Sequence, residues 1–220
     1  MQFNILTLFP ESIKSYFDSS ILKRAQQSGL LSINLINPRD FATDKHQKVD
    51  DSPFGGGPGM VMKVDVLAKA VERALGTQPE RTLVILTTPA GKQFTQKMAR
   101  DFAKKYSNII LIAGHYEGVD ARLEKVIKSL KIKVENLSIG PYVLTGGELP
   151  AAIIVDSVSR QLEGVLGKQE SLEDERGVGI PVYTRPEVFE YNGKKYKVPS
   201  VLMSGHHKNI EEWRKKQIKK

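Results

Sequence analysis

The chain has 220 residues, of which 40% are hydrophobic, and it carries a formal net charge of +8 with a pI near 9.5. A chain of this length buries one substantial core with a small appended module, which excludes two large domains. It contains no cysteine, which excludes disulfides, thiolate metal sites and a cysteine nucleophile, and its positive charge indicates a polyanionic partner.

Short apolar runs alternate with helical patterns over most of the chain. Strands are predicted at residues 2–9, 31–36, 82–87, 108–113 and 132–139. Ile13, Phe17, Ile21 and Ala25 line one face of a first helical segment that Gly29 ends, and further helices are predicted at residues 64–75, 94–106, 119–129 and 149–162. This alternation predicts an α/β domain with a mainly parallel sheet flanked by helices.

The composition changes at residues 163–179, where Gly, Glu, Lys, Asp and Ser dominate with little periodicity. This change predicts a flexible linker between a first domain at residues 1–162 and a small, mostly helical domain at residues 180–220. From Asn192 onward the chain carries nine Lys or Arg residues against only Glu211 and Glu212. Such a charge run is typical either of a solvated terminal helix or of a surface that binds nucleic acid.

The first ten residues lack the charged start and the small-residue cleavage site of a signal peptide. No apolar run approaches the roughly 18 residues that a membrane span requires. We therefore expect a protein that works in the cytoplasm and does not enter a membrane.

Three glycine-containing loops, at residues 87–91, 113–118 and 138–147, each follow a predicted strand. Ligands of open parallel sheets bind outside the carboxyl ends of the strands, so these loops could converge on one pocket. Glycine lets backbone groups approach a ligand closely, although a turn after a strand also needs glycine for purely steric reasons. Three such loops in consecutive units favour a binding site.

Other classes of site fit less well. The chain has no P-loop, and its glycines at residues 55–59 lack the spacing of a dinucleotide fingerprint. The four histidines, His46, His115, His206 and His207, show no metal-ligand spacing. Nucleotide triphosphates, dinucleotides and catalytic metals are therefore disfavoured.

Longer motifs occur in order along the chain: DDSPFGGGPGM at residues 50–60, GHYEG at 114–118, SIGPYVLTGGELP at 138–150, DSVSR at 156–160, YTRP at 183–186 and VLMSGHH at 201–207. Together they closely resemble the TrmD family of bacterial tRNA (guanine-N1)-methyltransferases, and the resemblance covers nearly the whole chain. It implies a SPOUT-type fold with a deep C-terminal trefoil knot, which is an exception to the rule that folds avoid threading.

The resemblance also implies that S-adenosyl-L-methionine binds in the knot, largely through backbone groups. Pro141 stands where the family commonly has Asp, which removes one backbone N–H and one carboxylate from this loop. The chemistry requires no metal, and magnesium (Mg2+) enters only because assays of the family often contain it. The residues implied to surround the cofactor are Leu86, Thr87, Thr88, Pro89, Gly114, Tyr116, Glu117, Ile139, Gly140, Pro141, Tyr142, Val143, Leu144, Gly146 and Gly147.

The implied reaction is methylation of N1 of the guanine immediately 3′ of the anticodon, position 37 of tRNA, which gives 1-methylguanosine. It requires a general base for the N1 proton and a group that stabilises the negative charge growing toward O6. The resemblance assigns these roles to Asp174 and Arg160. The usual Asp-Ser-Phe around the base reads Asp174-Glu175-Arg176 here, so Glu173 and Glu175 remain alternatives.

The resemblance further implies a homodimer whose active sites form between the subunits. It places Asp50 near the target guanine. The residues that it places beside the anticodon stem-loop of tRNA are Arg185, His206, Lys208 and Arg214.

Two rival functions remain open. The first is an RNA-binding module that keeps the knot but has lost turnover. The reasons to consider it are Pro141 and the altered segment at residues 174–176. The second is an unrelated α/β enzyme that uses a nucleotide, which the alternation of strands and helices alone motivates. Methyl transfer to guanine in a single turnover would exclude the first, and binding of S-adenosylmethionine but not NAD or ATP would exclude the second.

Overall fold

The computed structural model describes residues 1–76, 79–166 and 180–217. The chain divides into two compact units, Met1–Gly167 and Lys168–Lys220. Most of the predicted linker lies outside the described residues, and the domain boundaries proposed from the sequence remain a prediction. No helix in the described parts of the chain is both long enough and apolar enough to cross a membrane.

The first unit alternates strands and helices. In chain order its elements are β1 Gln2–Leu6, α1 Glu11–Phe17, α2 Ser20–Gln27, β2 Ser32–Ile36, β3 Asp50–Asp51, β4 Val61–Met62, α3 Val64–Ala74, β5 Thr82–Gln93, α4 Gln96–Lys105, β6 Asn108–Ala113, α5 Arg122–Ser129, β7 Lys133–Ser138 and α6 Glu148–Ser159. Five strands form one sheet in the order β2-β1-β6-β5-β7, and every neighbouring pair in it is parallel. The predicted α/β class with a mainly parallel sheet is confirmed, whereas the knot remains a prediction.

Helices cover both faces of the sheet because its central strands send apolar side chains to both sides. In β6, Ile109 and Leu111 belong to one core, while Ile110 and Ile112 belong to the other, and all four are fully buried. Helices α1, α2, α4 and α6 contribute to the first core, and α3 and α5 contribute to the second. A strand that is buried on both faces needs apolar residues at successive positions, and this explains the continuous apolar run in the sequence of β6.

The first predicted helix is broken into two. Helix α1 ends at Phe17, and α2 begins at Ser20, whose φ of 47° lies in the left-handed region. This break changes the helical register, so that Leu22 is buried in the core where the sequence pattern had placed Ile21. The predicted end at Gly29 agrees with its φ of 69°, a conformation that glycine adopts without steric cost.

Strand β5 extends beyond its predicted end at Thr87. It pairs with β7 up to Thr87, leaves the ladder, and pairs with it again at Lys92 and Gln93. A Cβ atom on Gly91 would lie 2.6 Å from the backbone N of Leu137. Glycine at this position therefore allows the returning segment to approach β7 closely.

The second unit contains β8 Val188–Tyr191, β9 Lys194–Lys197, α7 Ser200–Met203 and the basic helix α8 His207–Gln217. The two strands pair antiparallel as a hairpin that the sequence reading did not predict. Trp213 on α8 packs edge to face against Tyr183, with ring centroids 6.2 Å apart. Residues 180–217 of this unit therefore form a hairpin and two helices.

Candidate active site

A cavity of about 400 Å³ opens at the carboxyl ends of β6 and β7 and beside the part of β5 around Thr87, where β5 leaves its ladder with β7. Its wall is formed by that part of β5 and by the segments that follow β6 and β7, so residues of all three glycine-containing loops meet at one place. This is the edge of an open parallel sheet at which ligands bind. The lining residues are Leu86, Thr87, Thr88, Pro89, Gly114, His115, Tyr116, Glu117, Gly118, Val119, Leu137, Ser138, Ile139, Tyr142, Val143, Leu144, Thr145, Gly146, Gly147 and Pro150.

The structure brings together all the residues expected around the cofactor except Gly140 and Pro141, which belong to the same loop but do not line the cavity. The lining also includes residues that the sequence reading did not select, among them His115, Ser138 and Pro150. These residues lie inside or next to the recognised motifs. They would have been predicted if every residue of each motif had been expected to line the site.

The loop around Pro141 closes on itself. The Tyr142 backbone N–H donates to the Gly140 carbonyl oxygen at 2.9 Å, and the Ser138 hydroxyl donates to the same oxygen at 2.9 Å. A Cβ atom on Gly140 would collide with the ring of Tyr142. These hydrogen bonds close the turn through the neighbours of Pro141 and do not use the N–H group that proline lacks.

Gly147 ties the third loop to the second. Its backbone N–H donates to the carbonyl oxygen of Gly114 at 2.8 Å. A Cβ atom at this position would lie 2.6 Å from both the Cα of Ala113 and the backbone N of Gly114, and it would also meet the hydroxyl of Thr87. Only a residue without a side chain fits there, because the atoms that it would meet are mostly backbone.

A buried carboxyl supports the loops from below. Glu148, the first residue of α6, is 9% exposed, and its Oε1 accepts a hydrogen bond from the fully buried Thr7 hydroxyl at 2.8 Å. The same hydroxyl accepts from the Phe9 backbone N–H at 3.0 Å. A Cβ atom on Gly146 would lie against Glu148 and 2.9 Å from Nδ1 of His115, so the turn at Gly146 rests on both side chains.

We expect Thr7→Val to destabilise the first unit by about 1–3 kcal/mol, because it leaves a buried carboxylate oxygen and a backbone N–H without their hydroxyl partner. Urea unfolding followed by circular dichroism measures this change. Thr7→Ser is the matched control, since it keeps the hydroxyl and should remain within about 1 kcal/mol of the wild type. Equal stability of the Val and Ser variants would contradict the role given to this hydrogen bond.

A short ladder links Asp50 to the wall of the cavity through Met62. It pairs with Met62 across β3 and β4, and Met62 forms a parallel bridge with Val119, which lines the cavity. The Glu117 backbone N–H also donates to the carbonyl oxygen of Met60 at 3.0 Å. The glycine-rich segment and Asp50 are thus held beside the second loop.

Of the two residues expected to act on the guanine, the structure describes only Arg160. Arg160 is the C-terminal cap of α6, where its backbone N–H donates to the Asp156 carbonyl oxygen, and it is partly exposed. Asp174 and its alternatives Glu173 and Glu175 lie outside the described residues. Their assignment as the base remains a prediction.

The residues expected to contact the anticodon arm belong to the second unit. Arg185, His206, Lys208 and Arg214 are all exposed there. Between residues 180 and 217 the chain carries eight Lys or Arg residues against four Glu and no Asp. In the described parts of the chain, no group of three or more His, Asp or Glu side chains is arranged to hold a metal ion.

Comparison with known proteins identifies the family. The family model for tRNA (guanine-1)-methyltransferase TrmD matches residues 1–220. Proteins named tRNA (guanine-N(1)-)-methyltransferase from Carboxydothermus hydrogenoformans, Pelotomaculum thermopropionicum and Clostridioides difficile are 46%, 49% and 46% identical to the chain. Each alignment covers 99% of this chain and 82%, 84% and 92% of the respective relative. The resemblance found in the motifs is confirmed, and the chain belongs to the TrmD family of tRNA (guanine-1)-methyltransferases.

Proposed function

We propose that this chain transfers a methyl group from S-adenosyl-L-methionine to N1 of guanine 37 in tRNA. The observation that carries the proposal is the single cavity formed by three loops at the strand ends, in a chain of the TrmD family. The relatives are named for methylation of tRNA at guanine N1. The positive charge of the second unit suits a polyanionic substrate.

The cavity suits an adenosyl group in size and lining. A volume of about 400 Å³ is within the range of small-molecule pockets. Leu86, Ile139 and Pro150 offer apolar surface to a planar base, while the hydrogen bond between Gly147 and Gly114 holds the second and third loops together at the cavity. When bound, the sulfonium of S-adenosylmethionine supplies a methyl group that is already activated for transfer.

The remaining tasks fall to the protein's side chains. The proposed base, Asp174, removes the N1 proton, and the guanidinium of Arg160 stabilises the charge that then develops toward O6. A cation near the base also keeps the carboxylate ionised. The cavity walls hold the reacting atoms in line, which removes much of the entropic cost of the reaction. The guanine must leave its stack to enter the site, which costs less in a loop than in a duplex.

The position of Arg160 supports active sites that are shared between subunits. Pro150 in the first turn of helix α6 lines the cavity and the helix ends at Ser159, so Arg160 lies about 15 Å along the helix axis from its own pocket. An arginine side chain is much shorter than this distance. We therefore propose that Arg160 serves the pocket of a second copy.

An exposed stripe on α6 suits this second copy. Leu149 and Ile153 are 60% and 44% exposed although they are apolar, and Asp156 and Arg160 continue the same helical face. Asp156 accepts a hydrogen bond from Tyr16, which raises the pKa of that phenol to about 12. Two such stripes packed antiparallel in a symmetric dimer bring the C-terminal end of each helix to the start of the other.

Mixing two inactive variants tests the shared site. Arg160→Ala removes the charge stabiliser, and Thr88→Trp fills the cavity with a larger ring from a half-exposed wall position. If each site uses one subunit's pocket and the other's arginine, a mixed dimer contains one intact site. Equal mixtures should therefore recover about a quarter of wild-type methyl transfer after subunit exchange. No recovery, in a mixture shown by mass spectrometry to contain mixed dimers, would place both groups in one chain.

The proposed reaction is tested directly by nucleoside analysis. Unmodified tRNA transcript with G37 is incubated with the protein and methyl-labelled S-adenosylmethionine, digested and separated, and a transcript with A37 serves as the matched control. We expect label in 1-methylguanosine from the first transcript only. Label at another base or position would contradict the proposal, and binding of tRNA without any product would favour an RNA-binding module.

With tRNA as substrate and no cysteine in the chain, we propose that the protein works in the cytoplasm.

A further inference from the structure

The hairpin of the second unit presents a cluster of aromatic rings on one face. Its two strands are joined by Asn192 and Gly193, whose φ angles of 50° and 72° form the tight turn that such hairpins use. Phe189 pairs with Tyr196, and Tyr191 pairs with Lys194. Residues directly opposite each other on paired strands share a face, as do residues two apart on one strand. The three rings and Lys194 therefore lie on the same face.

The rings contact one another but remain open to solvent. Phe189 and Tyr191 are stacked, with centroids 6.2 Å apart and an angle of 13° between the planes, and Phe189 and Tyr196 are 6.5 Å apart. Their exposed fractions are 54%, 59% and 53% for Phe189, Tyr191 and Tyr196. Apolar surface concentrated in this way on a small element is typical of an interaction site.

The charges around the rings identify the kind of partner. Lys194 lies on the aromatic face, and Lys195 and Lys197 lie on the opposite face of the same strand, where Lys195 pairs with Glu190 at 2.9 Å. Exposed rings with one lysine on the same face match the two halves of a single-stranded nucleotide, because bases stack on aromatic rings and a lysine neutralises a phosphate. A purely apolar protein partner would gain nothing from the lysine on this face.

We propose that the aromatic face formed by Phe189, Tyr191 and Tyr196 binds unpaired bases of the RNA substrate, with Lys194 on the adjacent phosphate. None of these residues lines the cavity that we assign to methyl transfer, and none is among those expected to contact tRNA. The inference rests on the proposed function only in taking tRNA as the substrate. It makes the hairpin a stacking platform that tolerates different bases, since every base has a flat face.

The test compares tRNA affinity in variants that change the rings but keep the hairpin. The double variant Phe189→Leu/Tyr196→Leu removes both ring faces while leaving apolar side chains, and Phe189→Trp/Tyr196→Trp retains flat rings. Val188→Leu, on the opposite face of the same strand, is the matched control. Fluorescence anisotropy with labelled, unmodified tRNA transcript measures the Kd at fixed salt concentration, and thermal unfolding checks that each variant folds.

We expect the double Leu variant to bind tRNA about tenfold or more weakly, and the Trp variant and Val188→Leu to bind as the wild type does. Lys194→Ala should reduce the slope of log Kd against log salt concentration by about one. Unchanged affinity in a folded double Leu variant would overturn the inference. So would a fall to monomers in sedimentation, because the face would then contact a second copy of the chain.

Methyl transfer keeps this inference separate from the proposed function. At saturating tRNA, the double Leu variant should form 1-methylguanosine at the wild-type single-turnover rate. Only the tRNA concentration that gives the half-maximal rate should rise. If the wild-type protein forms no 1-methylguanosine, only the proposed function is contradicted. If the wild-type protein forms 1-methylguanosine and the double Leu variant binds tRNA with unchanged affinity, only the proposed role of the aromatic face is contradicted.

Discussion

Replacing Asp174 with Asn should lower the single-turnover rate of methyl transfer by about two to four orders of magnitude. Asparagine has nearly the same size but cannot accept the N1 proton, so the loss reports proton abstraction. The affinity for S-adenosylmethionine, measured by calorimetry, should stay within about twofold of the wild type, because the cofactor is assigned to the three loops of the first unit.

Two neighbouring carboxylates supply matched controls for this prediction. Glu173→Gln and Glu175→Gln make the same chemical change on either side of Asp174, and both should retain most of the activity. A variant of either glutamate that loses activity while Asp174→Asn keeps it would move the general base to that glutamate. The pH dependence of the rate adds a second readout, because removal of the base should abolish the rise in rate that follows its deprotonation.

Gly147→Ala should weaken S-adenosylmethionine binding by at least about tenfold and destabilise the first unit by about 1–3 kcal/mol. The added methyl group has no space, since it would lie 2.6 Å from the backbone atoms of Ala113 and Gly114. To accommodate it, the third loop must move away from the second, and the hydrogen bond from Gly147 to Gly114 must lengthen. Calorimetry with S-adenosylmethionine and a thermal scan measure the two effects.

Gly114→Ala distinguishes a local clash from a general intolerance of the loops to substitution. A Cβ atom there would lie 3.5 Å from the Thr87 carbonyl oxygen and 3.8 Å from Val119, which are ordinary contacts. Its thermal midpoint should therefore stay close to that of the wild type, whereas Gly147→Ala should lower it by a few degrees. Equal midpoints for the two variants would contradict the close packing of the second and third loops.

The sequence predicted the fold well where one strong pattern determined the structure. The continuous apolar run of β6 and the helical period of α3 left few alternatives. The break between α1 and α2 was missed because the apolar residues keep a helical spacing across it, although Ser19 is the N-cap of α2 and serine favours that position. The hairpin at residues 188–197 could have been predicted, since Asn192-Gly193 is a strong turn signal, but a mostly helical domain was expected there.

The site divides in a similar way. Motifs identified nearly every wall of the cavity, because each wall is one contiguous segment at or after the predicted end of a strand. The approach of Asp50 to the cavity depends on a two-residue strand pair and a single bridge to Val119, which are too short to leave a pattern. The distance of Arg160 from its own pocket follows from the length of α6, so it could be argued only after the cavity had been located.

A crystal structure with S-adenosyl-L-methionine bound tests most directly that three loops at the strand ends form one methyl-donor site. We expect the adenosyl group between the segments at residues 86–89, 114–119 and 137–147, with its methyl group facing the open side of the cavity. Protection of the same segments from hydrogen exchange in solution should accompany it. Density for the cofactor at any other place on the chain, with these three loops unliganded, would contradict the account.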